Sequence, residues 1–166
     1  CSYMNTGEGL HRHIDPVDNE VYIYTQFEVA DSRRVFPVFE QPDIKATLAL
    51  TVTAPTKWTL ISNSPTPKPI QVNEKMSTWS FAVTPLMSSY LYALCAGPYF
   101  KKTDVYKGKY GSYPLGIFVR PSLAEFLDHE EIFEITKQGF NWFEDKFKVG
   151  YPFPKYDQVF VPEFNA

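Results

Sequence analysis

From residue 20 to about 119 apolar and polar positions interchange over short stretches, and beyond residue 120 they recur at helical spacing. Residues 21–28, reading VYIYTQFE, are rich in β-branched and aromatic side chains and mix apolar with polar positions, which predicts a strand. Residues 46–53 alternate strictly, with threonine on one face and Leu48, Leu50 and Val52 on the other. Runs at 58–62, 77–84, 90–95 and 115–119 read as further strands, divided by Pro55, the 63–69 cluster, Pro85 and Gly97-Pro98. Several short strands at this spacing predict a mainly β fold, with an antiparallel saddle or sandwich-like sheet.

The texture then changes. Asp128, with Glu131 three residues on, has the form of a capping box whose N-cap is Asp. Ile132, Ile135, Gly139 and Trp142 share one helical face and Phe133, Phe140, Phe143 and Phe147 lie beside it, which gives a broad apolar stripe expected to be core. Lys146 and Lys148 suit the negative end of the helix dipole, and Gly150 and Pro152 are expected to end the helix. Phe160 and Val161 open another strand-like stretch. The expected organisation is a β-rich domain over 1–120, its own start missing, and the beginning of a second domain over 121–166.

Composition narrows the function classes. A chain of 166 residues that is 44% hydrophobic buries a real core. Its net charge of −3 gives no reason to expect nucleic acid or an anionic membrane as partner. No apolar run approaches the roughly 20 residues that span a bilayer. The cysteines, Cys1 and Cys95, belong to no Cys-x-x-Cys pair, so they make neither a disulfide scaffold nor a thiolate zinc site. This usage suits a reducing cytoplasm, the expected location. Opening on Cys1 rather than Met suggests an internal piece of something longer.

Local motifs offer little chemistry. The two ligands of His11-x-His13 could face one way on a strand and bind a metal, but no nearby Cys or acidic triad completes a site. Both are read as exposed polar residues beside the Asp15-Pro16 turn. His129-Glu130 begins a His-Glu-x-x-His pattern, but Phe133 stands at the second His position. Neither a Gly-x-Ser-x-Gly elbow nor a Gly-rich phosphate loop occurs.

One long, ordered stretch is specific. Thr25-Gln26-Phe27-Glu28 followed by Asp31-Ser32-Arg33-Arg34-Val35-Phe36-Pro37-Val38-Phe39-Glu40-Gln41-Pro42-Asp43-Ile44-Lys45-Ala46 resembles the N-terminal domain of the aminopeptidase N family of zinc exopeptidases. Ser62-Asn63-Ser64-Pro65, Thr84-Pro85-Leu86-Met87-Ser88-Ser89-Tyr90-Leu91 and Gly116-Ile117-Phe118-Val119-Arg120-Pro121 continue the resemblance. The closing Pro154-to-Ala166 stretch resembles the strand that leads into the family's Gly-x-Met-Glu-Asn signature. The resemblance covers essentially the whole chain, nearest to bacterial, especially actinobacterial, members. It departs from the family pattern at Val38, where Cys is usual, and at Glu40-Gln41, where Asp-Glu is usual.

The resemblance implies that residues 121–166 start a thermolysin-like catalytic domain. It also implies that the zinc ligands and general base lie beyond the chain, so zinc belongs to the full-length parent and this fragment binds none. Gln26 and Glu28, two apart on the predicted strand, leave one face. In the family, the acid there binds the substrate's free α-amino group while the Gln helps shape the pocket. Asn165 and Ala166 would lie next to the signature and line the first specificity pocket. No catalytic or metal-binding residue is expected within the chain itself. Arg33, Arg34, Phe36, Pro37, Phe39 and Pro42 are read as a packed turn that holds the Gln26–Glu28 strand. The implied partners are peptides with a free N-terminus and the remainder of the chain's own catalytic domain. Alternatives are a zinc-less scaffold relative that serves as an interaction module, a lipid-epoxide hydrolase relative (disfavoured because it carries Gln at the Glu28 position), and a free-standing β-sandwich binding module.

Overall fold

The computed structural model describes residues 3–164. Ten strands and one α-helix follow in order: β1 (Gly9–Ile14), β2 (Val21–Gln26), β3 (Thr51–Pro55), β4 (Thr59–Ser62), β5 (Ile70–Gln71), β6 (Met76–Ser80), β7 (Leu94–Gly97), β8 (Phe100–Lys107), β9 (Ser112–Val119), α1 (His129–Phe147) and β10 (Tyr156–Val159). The fold is mainly β with antiparallel sheets, as the pattern predicts. The chain forms two compact units, one of residues up to Tyr99 together with those from Val161 onward, the other Phe100–Phe160. These units do not divide near residue 120, because β8 and β9 pair with each other and β9 also pairs with β10.

In the first unit a four-stranded sheet runs β1-β2-β7-β4 and a three-stranded sheet runs β3-β6-β5. Leu60 and Ala96 of the first sheet and Ala54 and Trp79 of the second meet, with Phe81, in one buried cluster flanked by Ile23, Val52 and Trp58. The two sheets thus cover each other through one apolar face each. The predicted 46–53 strand is displaced, and β3 begins at Thr51. Residues 46–50 pair irregularly with 81–87, through Ala46 with Met87, Thr84 N–H to Leu48 O at 3.1 Å and Phe81 N–H to Leu50 O at 2.9 Å. Pro85 has no N–H to give a regular ladder, so Thr84 N–H donates to Leu48 O instead, and the Thr84 hydroxyl rather than a backbone carbonyl accepts from Leu48 N–H at 2.9 Å.

The second unit is the β8–β9 hairpin with β10 added parallel to β9 and α1 packed across it. The second-domain strand lies at Tyr156–Val159, ahead of the expected Phe160 and Val161. The Asp128 carboxylate accepts from Glu131 N–H, which confirms the N-cap. At the other end Lys148, with φ of 59°, takes the left-handed cap position that the sequence assigned near Gly150. Gly150 is needed for proximity instead: a Cβ there would sit 2.7 Å from Tyr110 Cβ.

The apolar stripe of α1 is only partly core. Phe133 is buried against Tyr106, Leu115 and Ile117, with Ile132 and Phe140 half-covered beside them. Ile135, Trp142, Phe143 and Phe147 are more than half exposed, because one helix on a three-stranded sheet buries only one side. The exposed side borders a cavity of about 590 Å³ lined by Ile135, Phe140, Phe143, Phe147, Tyr151 and Tyr156. Glu144 is buried among these rings, accepting from Tyr106 O–H and Lys109 N–H, each at 3.0 Å. Burial and the adjacent carboxylate push the Tyr106 hydroxyl up to about 12.

The two sides of α1 respond differently to truncation. Phe133→Ala is expected to destabilise by about 3–5 kcal/mol through lost burial and a residual cavity. Phe143→Ala is expected to stay within about 0.5 kcal/mol, as for an exposed position. Denaturant unfolding of the two variants checks the contrast.

Candidate functional site around the β2 turn

β2 is an inner strand, paired antiparallel with β1 along its length and with β7 through Ile23 and Tyr24. Its alternation puts Ile23 on the apolar core and Tyr22 and Tyr24 on the opposite face, both fully buried. The ladder to β7 continues past Tyr24 through a side chain, since Thr25 Oγ1 accepts from Leu94 N–H at 2.9 Å. The strand ends at Gln26, half-buried and in register with Gly9. Glu28 therefore lies in the turn that follows, and the expected strand extending to Glu28 is corrected to one ending at Gln26. The Glu28–Val29 peptide bond is cis.

The turn is held from inside. Phe27 is buried against Phe36 at 5.9 Å between ring centroids, and Phe36 stacks on Tyr92 at 6.1 Å. Asp31 N–H donates to Phe27 O at 2.9 Å and opens a single 3-10 turn, Ser32–Arg34. Glu40 caps that turn: its Oε1 accepts from Ser32 N–H at 2.6 Å and from the Ser32 hydroxyl, while its Oε2 lies 3.6 Å from Arg33 Nε. The Glu40 side chain is almost wholly buried here, which gives this departure from the family pattern a structural role. Arg34 Nε donates to Asp31 at 2.5 Å, and its guanidinium pairs with Glu8 at 3.3 Å. Phe39, expected to be packed, is 81% exposed, and Pro37 and Pro42 are exposed as well. The aromatic packing of this turn rests on Phe27, Phe36 and Tyr92, while Ser88 O–H donates to Pro42 O at 2.5 Å to hold the loop.

Glu28 itself is exposed and has no hydrogen-bond or ion-pair partner among the described residues. Asn165 and Ala166 lie outside the described residues. The residues leading to them, from Val161 to Phe164, belong to the same unit as β2. Tyr24 O–H donates to Pro162 O and lies 3.1 Å from Glu163 O.

The Glu163 carboxylate reaches β1, with Oε2 3.8 Å from both His11 Nε2 and His13 Nδ1. His11 is 2% exposed, so its reading as an exposed polar residue is overturned. The two histidines do share a face, as the spacing allows, but the acid that joins them comes from the far end of the chain, where spacing gives no signal. This is a three-residue group of metal-ligating types, but its donors do not fit a metal. Gly7 N–H donates to His11 Nδ1 at 2.8 Å, so a neutral His11 carries its proton on Nε2 and has no lone pair there for an ion. The same proton suits a hydrogen-bonding role toward Glu163. Burial holds the His11 pKa below its ordinary value, with Glu163 opposing and His13 adding to that shift.

Two outcomes follow. With the folded pKa of His11 below the unfolded value of about 6.5, the unfolded chain binds more protons in mild acid. The stability tied to neutral His11 is complete above about pH 6.5 and declines as pH falls below it. His11→Gln is expected to flatten that decline in unfolding curves taken between about pH 7 and 5. Glu40→Ala is expected to cost about 1–3 kcal/mol by leaving Ser32 N–H without its acceptor, read as a fall in the unfolding midpoint.

Residues 5–91 match the Peptidase M1 N-terminal domain. The chain is 61% identical over its whole length to aminopeptidase N of Streptomyces lividans, of which it covers 19%. It is 35% identical over 84% of its length to aminopeptidase N of Acetobacter pasteurianus, covering 38% of that protein. It is 30% identical over 87% of its length to human glutamyl aminopeptidase, covering 14% of it. The chain thus spans well under half of each of these relatives, and it belongs to the Peptidase M1 N-terminal domain family.

Proposed function

We propose that the chain is the front part of a zinc aminopeptidase that releases N-terminal residues from peptides, and that Glu28, with Gln26 beside it, anchors the substrate's free α-amino group. The observation that carries this reading is the state of Glu28. It is an exposed carboxylate without a partner among the described residues, in a turn whose other acids, Asp31 and Glu40, are engaged in holding the fold. A carboxylate on a rigid support selects an ammonium through a charge-assisted hydrogen bond. An internal peptide bond offers no such cation, so an anchor of this kind makes an exopeptidase. Relatives named aminopeptidase N and glutamyl aminopeptidase support the reaction class. Asn165 and Ala166 are proposed to line the pocket for the first side chain.

The zinc of the parent is assigned to residues outside this chain, and His11, His13 and Glu163 are not its ligands. The protein partner is the remainder of the parent's own catalytic domain. That assignment is supported by the exposed apolar side of α1, since a patch of this kind marks an interface, and by the 19% share of the Streptomyces relative that the chain covers. A cytoplasmic location remains part of the proposal and rests on cysteine usage alone.

In the full-length parent, Glu28→Ala is expected to lower kcat/KM for an alanyl chromogenic substrate roughly ten- to hundredfold, the worth of one hydrogen bond to a charged group. Chelator is expected to abolish the wild-type activity. Unchanged kinetics in the variant would reduce Glu28 to a surface residue. A parent with no activity at all would favour the scaffold reading.

A further inference from the structure

The turn that carries Glu28 is closed by Asp31, whose N–H donates to Phe27 O at 2.9 Å. The Asp31 carboxylate accepts from Arg34 Nε, and the Arg34 guanidinium reaches Glu8 at 3.3 Å. Glu8 ends a strap, residues 4–8, that lies against β1. Met4 pairs with His11, Met4 N–H donates to Leu10 O at 2.8 Å, and Arg12 N–H donates to Met4 O at 3.1 Å. The chain then passes close to the turn: Gly9 is in register with Gln26, and a Cβ on Gly9 would lie 3.5 Å from Arg34 Cβ. Gly7, with φ of 81°, folds the strap back so that its N–H donates to His11 Nδ1 at 2.8 Å. Contacts therefore run without a gap from His11 through Gly7, Glu8, Arg34 and Asp31 to the backbone beside Glu28.

Only a neutral imidazole accepts at Nδ1, since an imidazolium carries a proton on both nitrogens. On protonation, Nδ1–H and Gly7 N–H would point at each other where His11 is 2% exposed, so one of them has to move. The titratable groups around the ring come from three elements. Tyr24 of β2 lies 4.9 Å away between ring centroids, and Glu163, from the segment after β10, brings Oε2 to 3.8 Å from His11 Nε2. His13, on the same strand as His11, shares that carboxylate. Glu8, the acid of the strap, is turned to Arg34. Burial has the largest influence and keeps the ring neutral, with Glu163 opposing and His13 adding to it.

We propose that His11 is a positioning residue for the amine-anchoring turn: its neutral ring holds the strap that braces Arg34, and its protonation in mild acid releases that brace. The inference rests on the amine-anchor reading above for what the turn does, while the brace itself rests on contacts among described residues. A released strap loosens the hold on substrate without touching the reacting atoms, so the loss falls on KM and not on kcat.

The test uses the full-length parent and an alanyl 4-nitroanilide, with wild type, His11→Asn, Glu8→Gln and Glu28→Ala. Asn at this position puts an amide oxygen near the place of Nδ1, an acceptor that mild acid does not remove. Between about pH 7.5 and 5.5 the KM of wild type is expected to rise about threefold more than that of His11→Asn, the worth of a part-exposed ion pair, with equal kcat profiles. Titration of the substrate amine is common to both enzymes and cancels in the ratio. Glu8→Gln, which leaves His11 in place, is expected to start at the raised KM and to lack the acid-dependent excess. Should His11→Asn not fold, the ratio of wild type to Glu8→Gln carries the same test. Hydrogen exchange of the strap, read by mass spectrometry and corrected for its intrinsic pH dependence, is expected to quicken in acid in wild type but not in His11→Asn. Equal exchange in the two proteins, or a KM ratio that does not move with pH, overturns the inference. An acid-dependent excess in wild type beside unchanged kinetics in Glu28→Ala would leave the brace standing and remove the amine anchor. A wild-type parent without chelator-sensitive activity removes the site and the positioning role with it.

Discussion

Much of the first unit depends on the two-residue period of β2. An inner strand has to present one face to each side of its sheet. In β2, Ile23 serves the apolar core while Tyr22 and Tyr24 occupy the other face. The second face is aromatic yet ends in hydroxyls, which suits a place that is dry at the ring and needs acceptors at the tip. A shift of one residue in register would exchange the two faces and bury the phenols in the cluster around Leu60 and Trp79. Pairing on both flanks keeps the register, and the close fit of Gly97 reinforces it, since a Cβ there would lie 2.7 Å from the Tyr22 ring.

The turn after β2 shows how local polar satisfaction separates engaged acids from an unengaged one. Asp31 and Glu40 are consumed by the backbone and by arginines, and each fixes part of the 3-10 turn. Glu28 is left facing outward from the rigid frame they make. The second unit follows another logic. Its buried acid, Glu144, is held by a phenol and a backbone N–H within a nest of aromatic rings, and the helix that carries it is finished on only one side.

What the sequence disclosed was what local periodicity and local chemistry control. The Asp128 cap, the helix of 19 residues and the mainly β character were legible because each depends on neighbours within a few positions. The 46–53 alternation was genuine but did not give a continuous strand, because the partner stretch contains Pro85, which the pattern of 46–53 itself does not reveal. β1 was missed, since GLHRHI carries polar residues at positions that the fold buries, His11 above all. Glu40 stood out only as a departure from a family pattern, and its capping role needed the backbone of Ser32 in view. Tyr24 and Glu163 could not be paired by any spacing rule, because their contact spans 139 positions.

That long contact also bears on the order in which the molecule is made. A chain leaves the ribosome from its N-terminus, and contacts distant in sequence form late. β1, β2, β7 and β4 are all present once residue 97 has emerged, but Tyr24 lacks its acceptors at Pro162 and Glu163 until the whole of Phe100–Phe160 has followed. The first unit to begin is therefore the last to be completed. During that interval the Tyr24 hydroxyl is without the two carbonyls it meets in the folded chain. The intervening unit can thus form before that contact is made.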